Sequence, residues 1–327
     1  MLTSGNKRSM QNKIEDYYKL DTELGFGAYS KVKLAFEVST GKKFAIKIID
    51  SIYHNSSSKL KNKFLKRELD ALERINHYNI IKYYNNSAYL LENDLGCVEL
   101  HDCIVLDYAE NGSLFDYIFH EKRGFNERIS RCIFLQLINA LEHCHSVGMA
   151  HGDLKTENIL FTTDWTVKLC DFGNSYFLGS KNIDIKDGVT KTYCSPEIWS
   201  GDKTEILGAK SDIFSCGVIL FLLVTGNFPF FETTNTDFVY RRIKSKRYSG
   251  IWDHYKEKIS IFESLNVSVE FKELFISLVQ CEAKDRPTIE EIKKCKWLSL
   301  ELATPLELTQ EFEKRKKYIK KMDKYKW

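Results

Sequence analysis

Between His151 and Gly173 the sequence HGDLKTENILFTTDWTVKLCDFG sets two short apolar runs, Ile159 to Phe161 and Val167 to Cys170, on either side of the turn TTDW. Such runs around a turn predict a hairpin, and Asn158 and Asp171 then flank its open end. Asp153 precedes the hairpin by a few residues and adds a second carboxylate to the same mouth. An oxygen-rich site of this kind suits Mg²⁺ held together with phosphates. A carboxylate pair also serves glycoside hydrolysis, but that chemistry leaves two upstream features unexplained.

The first is GFGAYSKV, beginning at Gly25 between two predicted strands. Its glycines permit a tight turn and let backbone N–H groups approach phosphate. Taken alone it reads as an ordinary glycine-containing hairpin, and Ser30 stands where a third glycine would complete the phosphate-loop pattern. The second is a lysine in an apolar row. In KKFAIKIID, alternation puts Ala45, Lys47 and Ile49 on one face of a strand and Phe44, Ile46 and Ile48 on the other. A buried ammonium needs an anionic partner. The helix predicted over Lys59 to Ile75 offers Glu68, beside the stripe Leu65, Leu69 and Leu72, although a glutamate at a stripe's margin also reads as an exposed residue.

Around these features the pattern changes once along the chain. Tyr18 to Asp50 predicts three antiparallel strands with STGKK as a turn, and Ile80 to Tyr84 and Cys97 to Asp107 predict two more, joined by a polar stretch with Glu92, Asn93 and Asp94. After Gly112 helical spacing dominates, as in Phe134, Leu137, Ile138 and Leu141. The run from Ile213 to Val224 is too short for a membrane span and reads as a buried helix. With 43% hydrophobic and 28% charged residues the composition is that of a soluble globular chain, and a net charge of +3 gives no reason to expect nucleic acid as the main partner. Nine cysteines without a CxxC pair fit reduced thiols, and the first residues carry no apolar secretory core, so a cytoplasmic, or nuclear, protein is expected. His143, Cys144 and His145 are consecutive and point in different directions on a helix, which argues against a metal site there.

Together these motifs resemble the eukaryotic protein kinase family over about Tyr18 to Leu298, and their fixed order is hard to obtain by accident. The resemblance implies an α+β, two-lobed kinase fold: a tail over 1–17, a small antiparallel-sheet N-lobe with one main helix over 18–106, a hinge over 107–112, a larger, mainly helical C-lobe over 113–298, and a basic tail over 299–327. It implies a MgATP-dependent phosphotransferase. Gly25 and Gly27 would cover the phosphates, Lys47 would hold them and Glu68 would orient Lys47. Asp153 would accept the substrate hydroxyl's proton, Lys155 would neutralise the transferring phosphoryl group, and Asn158 and Asp171 would hold Mg²⁺. Val32, Ala45 and Leu160 would sandwich adenine, Asp107 and Ala109 would bond its edge through the backbone, and Leu106 would be the gatekeeper.

Ser195, Pro196 and Glu197 resemble the family's A-P-E motif, with Arg286 as partner of Glu197 and Asp212 as anchor of the catalytic loop. DLKTEN and Thr190 are similar to the serine/threonine type, so the partner expected is a protein with a Ser or Thr acceptor, and GVILFLLVTGNFPF looks most like the calcium/calmodulin-dependent and AMP-activated group. A pseudokinase scaffold is the competing reading, but none of Lys47, Glu68, Asp153, Asn158 and Asp171 is missing. Glu157 implies a modest preference for an upstream arginine, because Ser113 and Leu222 stand where strongly basophilic relatives carry acids.

Two further expectations concern regulation. Gly152 replaces the arginine that in many relatives pairs with an activation-segment phosphate, and the usual phosphate position falls near Lys186, beside Asp184 and Asp187. The segment from Asp171 to Glu197 is therefore expected to order without phosphorylation. Glu311 to Trp327 carries eight Lys/Arg against three Asp/Glu. A basic amphipathic helix there would dock on the kinase or bind calmodulin, but the apolar positions form no clean stripe, which favours a solvated helix.

Overall fold

The computed structural model describes residues 12–27, 30–49, 58–92, 96–121, 123–180, 190–200, 208–258 and 267–323. The segment around Lys186, and Trp327, lie outside the described residues. The chain forms two compact units, one of 1–63 with 81–108, the other of 64–80 with 109–327.

In the first unit the alternating pattern produces strands β1 (Tyr18–Gly27), β2 (Ser30–Glu37), β3 (Lys43–Ile49), β4 (Tyr83–Glu92) and β5 (Val98–Asp107), in the order β1-β2-β3-β5-β4. All neighbours are antiparallel. Phe44, Ile46 and Ile48 are buried with Ile14, Tyr18, Ala35, Cys103 and Val105, while Ala45 and Lys47 on the opposite face are half-buried. Each apolar side chain so buried contributes about 1.5–3 kcal/mol, which fixes the register that puts Lys47 opposite Val32 and Ile104. The fourth strand begins later and runs longer than Ile80 to Tyr84. Ile80 instead bridges to Leu169 in the second unit, and the polar run Asn85–Asn86–Ser87 is tolerated because β4 is an edge strand with one face open to water.

Helix α1 (Ser58–Leu72) passes from one unit to the other. The second unit continues with α2 (Leu114–Phe119), α3 (Glu127–Ser146), β6 (Met149–Ala150), the hairpin β7 (Ile159–Phe161) and β8 (Val167–Leu169), β9 (Tyr176–Phe177) and α4 (Pro196–Ser200). It then runs through α5 (Gly208–Thr225), α6 (Phe238–Lys244), α7 (Ile251–Lys258), α8 (Val269–Leu278), α9 (Ile289–Lys293), α10 (Lys296–Ser299) and α11 (Pro305–Asp323). Their starts follow the capping residues: Ser113 and Asp116 form a capping box on α2, Asn126 caps α3 and Thr288 with Glu291 caps α9. Apolar all round, α5 is long and hydrophobic enough to cross a membrane, yet it is almost wholly buried in protein, as a core helix is.

The tail departs from the solvated helix predicted for it. On α11, Phe312 and Arg315 are fully buried, and Leu308, Glu311, Lys316 and Ile319 are half-buried beside them, a regular helical stripe. Hydrophobicity alone hides this stripe because charged residues occupy part of it. Arg315 donates to the carbonyls of Tyr117, Arg123 and Gly124 at 2.6–3.0 Å, and through Nε to Glu311 at 2.8 Å. Tyr117 lies in the last turn of α2, so the guanidinium satisfies a carbonyl that has no partner within its own helix. Phe312 stacks on Trp165 at 4.6 Å and touches Phe161, Tyr117 and Phe125.

Candidate active site

The β7–β8 hairpin forms as the sequence predicts, with Ile159 opposite Leu169, and the Cys170 amide donates to the Asn158 carbonyl at 3.0 Å. Asn158 and Asp171 therefore stand at one open end. The Asn158 amide Nδ2 donates to the Asp153 carbonyl at 2.9 Å, which ties Asn158 to the loop that carries Asp153 and leaves its own oxygen, Oδ1, out of that bond. Asp171 adopts φ 63°, a left-handed conformation that costs energy for a non-glycine residue, and Gly173 follows it with the position of its absent Cβ 3.4 Å from the Asp171 carboxylate. Strain of this kind concentrates at functional positions.

Asp153 is 5% exposed and is held from two sides. Lys155 Nζ donates to its Oδ2 at 2.7 Å, and the Thr190 hydroxyl donates to its Oδ1 at 3.3 Å. Lys155 also reaches the Thr190 hydroxyl at 3.3 Å, so carboxylate, lysine and threonine form one closed cluster. Burial pushes the Lys155 ammonium towards a lower pKa, but the charge of Asp153 and its hydrogen bond outweigh burial and leave it raised, so it stays a cation beside the carboxylate.

The loop that carries Asp153 is fixed from below by α5. Asp212, 2% exposed, accepts from the backbone N–H of His151 at 2.9 Å and of Gly152 at 3.0 Å, and its Oδ2 lies 2.8 Å from His145 Nε2. His143, at the other flank of Cys144, accepts from the Asn76 amide and stacks on His77. At the far end of the activation segment Arg286 grips Glu197 in a fork, Nη1 to Oε1 at 2.6 Å and Nη2 to Oε2 at 2.7 Å, and Ser211 donates to the same carboxylate.

Glu68 is 3% exposed, so it is not a residue of the helix margin; its Oε2 lies 3.9 Å from where a Cβ on Gly173 would stand. The Ser175 hydroxyl donates to the carbonyl of Arg67, its neighbour on α1. Leu160 lies on β7, bridged to Ser113, and Ala109 begins the longer segment of the second unit. The first unit holds Gly25, Gly27, Val32, Ala45, Lys47, Leu106 and Asp107. There Gly25 faces Val32 and Gly27 faces Ser30, and a Cβ on Gly27 would come within 2.9 Å of the buried Ser30 hydroxyl. Ser30 is thus accommodated because Gly27 has no side chain. Leu222 is 4% exposed inside α5, and Ser113 is spent on capping α2.

The protein kinase domain family matches residues 18–298. The chain belongs to the protein kinase family. It is 33% identical over 297 residues to the SNF-related serine/threonine-protein kinase of Homo sapiens, covering 90% of this chain and 35% of that one. It is 34% identical over 289 residues to the CBL-interacting serine/threonine-protein kinase 24 of Arabidopsis thaliana, covering 86% and 57%, and 34% identical over 285 residues to the CBL-interacting protein kinase 30 of Oryza sativa, covering 86% and 54%. The chain therefore spans between about a third and just over half of the length of these curated relatives. Two of these relatives are named as serine/threonine-protein kinases, and the protein kinase family uses ATP and Mg²⁺. The structure brings Asp153, Lys155, Asn158 and Asp171, which the motifs single out, to the catalytic-loop hairpin of the second unit. Sequence reasoning missed the Ser175 bond to α1 and the aromatic packing at Gly152, which have no signature of residue type.

Proposed function

We propose that the chain transfers the γ-phosphoryl group of ATP to a serine or threonine hydroxyl of a protein. The observation that carries this reading is the cluster of Asp153, Lys155 and Thr190, which places a carboxylate acceptor, a retained cation and the segment that would receive the substrate within hydrogen-bond reach of one another. Asp153 accepts the proton of the attacking hydroxyl. Lys155 stabilises charge on the transferring group and orients Asp153 between turnovers. The donor set of Asn158 and Asp171, one neutral oxygen and one carboxylate, fits Mg²⁺, which keeps few protein ligands and takes others from phosphate. Bound there with ATP, Mg²⁺ would neutralise phosphate charge.

The same reading extends to regulation. A glycine at position 152 supplies no cation for a phosphate, while the described ends of the activation segment are already held, by β9 pairing to β6 and by the Glu197–Arg286 fork. The kinase is therefore active without phosphate on that segment. The calmodulin alternative for the tail would require α11 to leave its seat, since Phe312 is already buried. Removal of phosphate from the purified protein, verified by mass spectrometry, should leave its turnover on a Ser/Thr peptide within about twofold; a large loss restored by rephosphorylation would refute the regulatory part.

A further inference from the structure

Gly152 and Gly208 each lack a side chain where one aromatic ring passes. Gly152 has φ 80°, and a Cβ built on it would fall on the Asn174 carbonyl oxygen and within 3.0 Å of Tyr176 Cε1. A Cβ on Gly208, the first residue of α5, would stand 2.6 Å from Tyr176 Cε2 and 3.0 Å from its hydroxyl oxygen. The two glycines therefore form a slot, and the Tyr176 ring, 5% exposed, fills it. The backbone pairs Tyr176 with Ala150, and the ring packs with Ala150, Leu178 and Ile198. Ile198 follows Glu197, so a residue at the start of the activation segment meets one just past its end, both against the turn that leads into Asp153.

We infer that Tyr176 is a positioning residue for Asp153: an uncharged clamp that fixes the catalytic-loop turn at Gly152 and closes both ends of the segment onto it. This rests on the phosphotransfer reading above and on its independence of segment phosphorylation. Packing is what the ring supplies. Among the described residues its hydroxyl has no hydrogen-bond partner although it is buried, so the oxygen contributes nothing that phenylalanine would lack. Asp212 holds the two amides of the turn, and the Tyr176 ring packs where a side chain on Gly152 would stand. Displacement of a catalytic group by about 1 Å lowers a rate by about a hundredfold.

The test measures turnover, KM for ATP and melting temperature on phosphatase-treated full chain carrying Y176F, Y176L, Y176A or G208A. The expected result is that Y176F keeps kcat within about twofold and melts no lower than the parent. Y176L and Y176A lose about ten- to a hundredfold in kcat while KM for ATP moves by less than about threefold. Y176L preserves most of the buried volume and supplies the measurement if Y176A does not fold. G208A should follow Y176A because its methyl group displaces the ring, against the ordinary preference of a helix for alanine over glycine. Full kcat in Y176L or Y176A, with phosphatase-treated parent active, overturns this inference alone; so does Y176F as damaged as Y176A. Inactive phosphatase-treated parent protein overturns both this inference and the regulatory reading it rests on.

Discussion

Arg286 holds Glu197 through two parallel hydrogen bonds, with the arginine side chain fully shielded from solvent and the glutamate nearly so. Burial pushes the Glu197 carboxyl up, but the guanidinium outweighs it and holds the pKa below its ordinary value of 4.5. A carboxylate depressed in this way contributes stability above its unfolded pKa and loses it as pH falls through the folded one. Arg286→Ala, which leaves a buried charge unpaired, should cost about 3–5 kcal/mol in denaturant unfolding. Glu197→Gln should flatten the dependence of stability on pH below 4.5. A loss below about 1 kcal/mol for Arg286→Ala, in the range of an exposed pair, would contradict this account.

Asp212 accepts from the backbone amides of both His151 and Gly152. Asp212→Ala strands these two buried donors at about 1–3 kcal/mol each. Turnover should fall further than ATP affinity, because the bonds act on the loop that carries Asp153. Unchanged kcat together with a lowered melting temperature would reduce Asp212 to a structural role.

Much of this was legible in the residues. The charged and glycine positions of the site stand out because an ammonium in an apolar row, or paired oxygens at a hairpin mouth, break the pattern that packing alone would give. The β4 strand was misplaced because an edge strand tolerates Asn85 and Asn86, which a buried strand would not. Tail docking was hidden for a related reason: Arg315 sits in the buried stripe of α11, and only the carbonyls of Tyr117, Arg123 and Gly124 show why a guanidinium is welcome there. Tyr176 left no trace, since a tyrosine on a short strand looks the same whether or not two glycines flank its ring.

The tail should accordingly be part of the folded kinase. Phe312→Ala removes a ring shared by four other aromatics and should cost about 3–5 kcal/mol. Truncation after Thr304 should lower the melting temperature at least as far. A truncated protein with parental stability would return α11 to a solvated segment.

Substrate choice should show only a modest basic preference. Glu157 is partly engaged by the Thr156 hydroxyl at 3.1 Å and the Tyr193 hydroxyl at 3.4 Å, and Leu222 is buried and cannot join it as a second recognition point. On a peptide array an upstream arginine should raise phosphorylation several-fold, and Glu157→Gln should reduce that gain. An absolute requirement for arginine would show that other acids do the work.

The account turns on Asp153 as the group that accepts the substrate's proton. The most direct measurement compares parent protein and Asp153→Asn for Mg²⁺-dependent transfer of labelled phosphate from ATP to a Ser/Thr peptide, with nucleotide affinity measured in parallel. The account predicts label on serine or threonine for the parent, a loss of at least about a hundredfold in the variant, and nucleotide affinity within about threefold of the parent. Parent protein that binds nucleotide and transfers nothing, or a variant that turns over as fast as the parent, would contradict it.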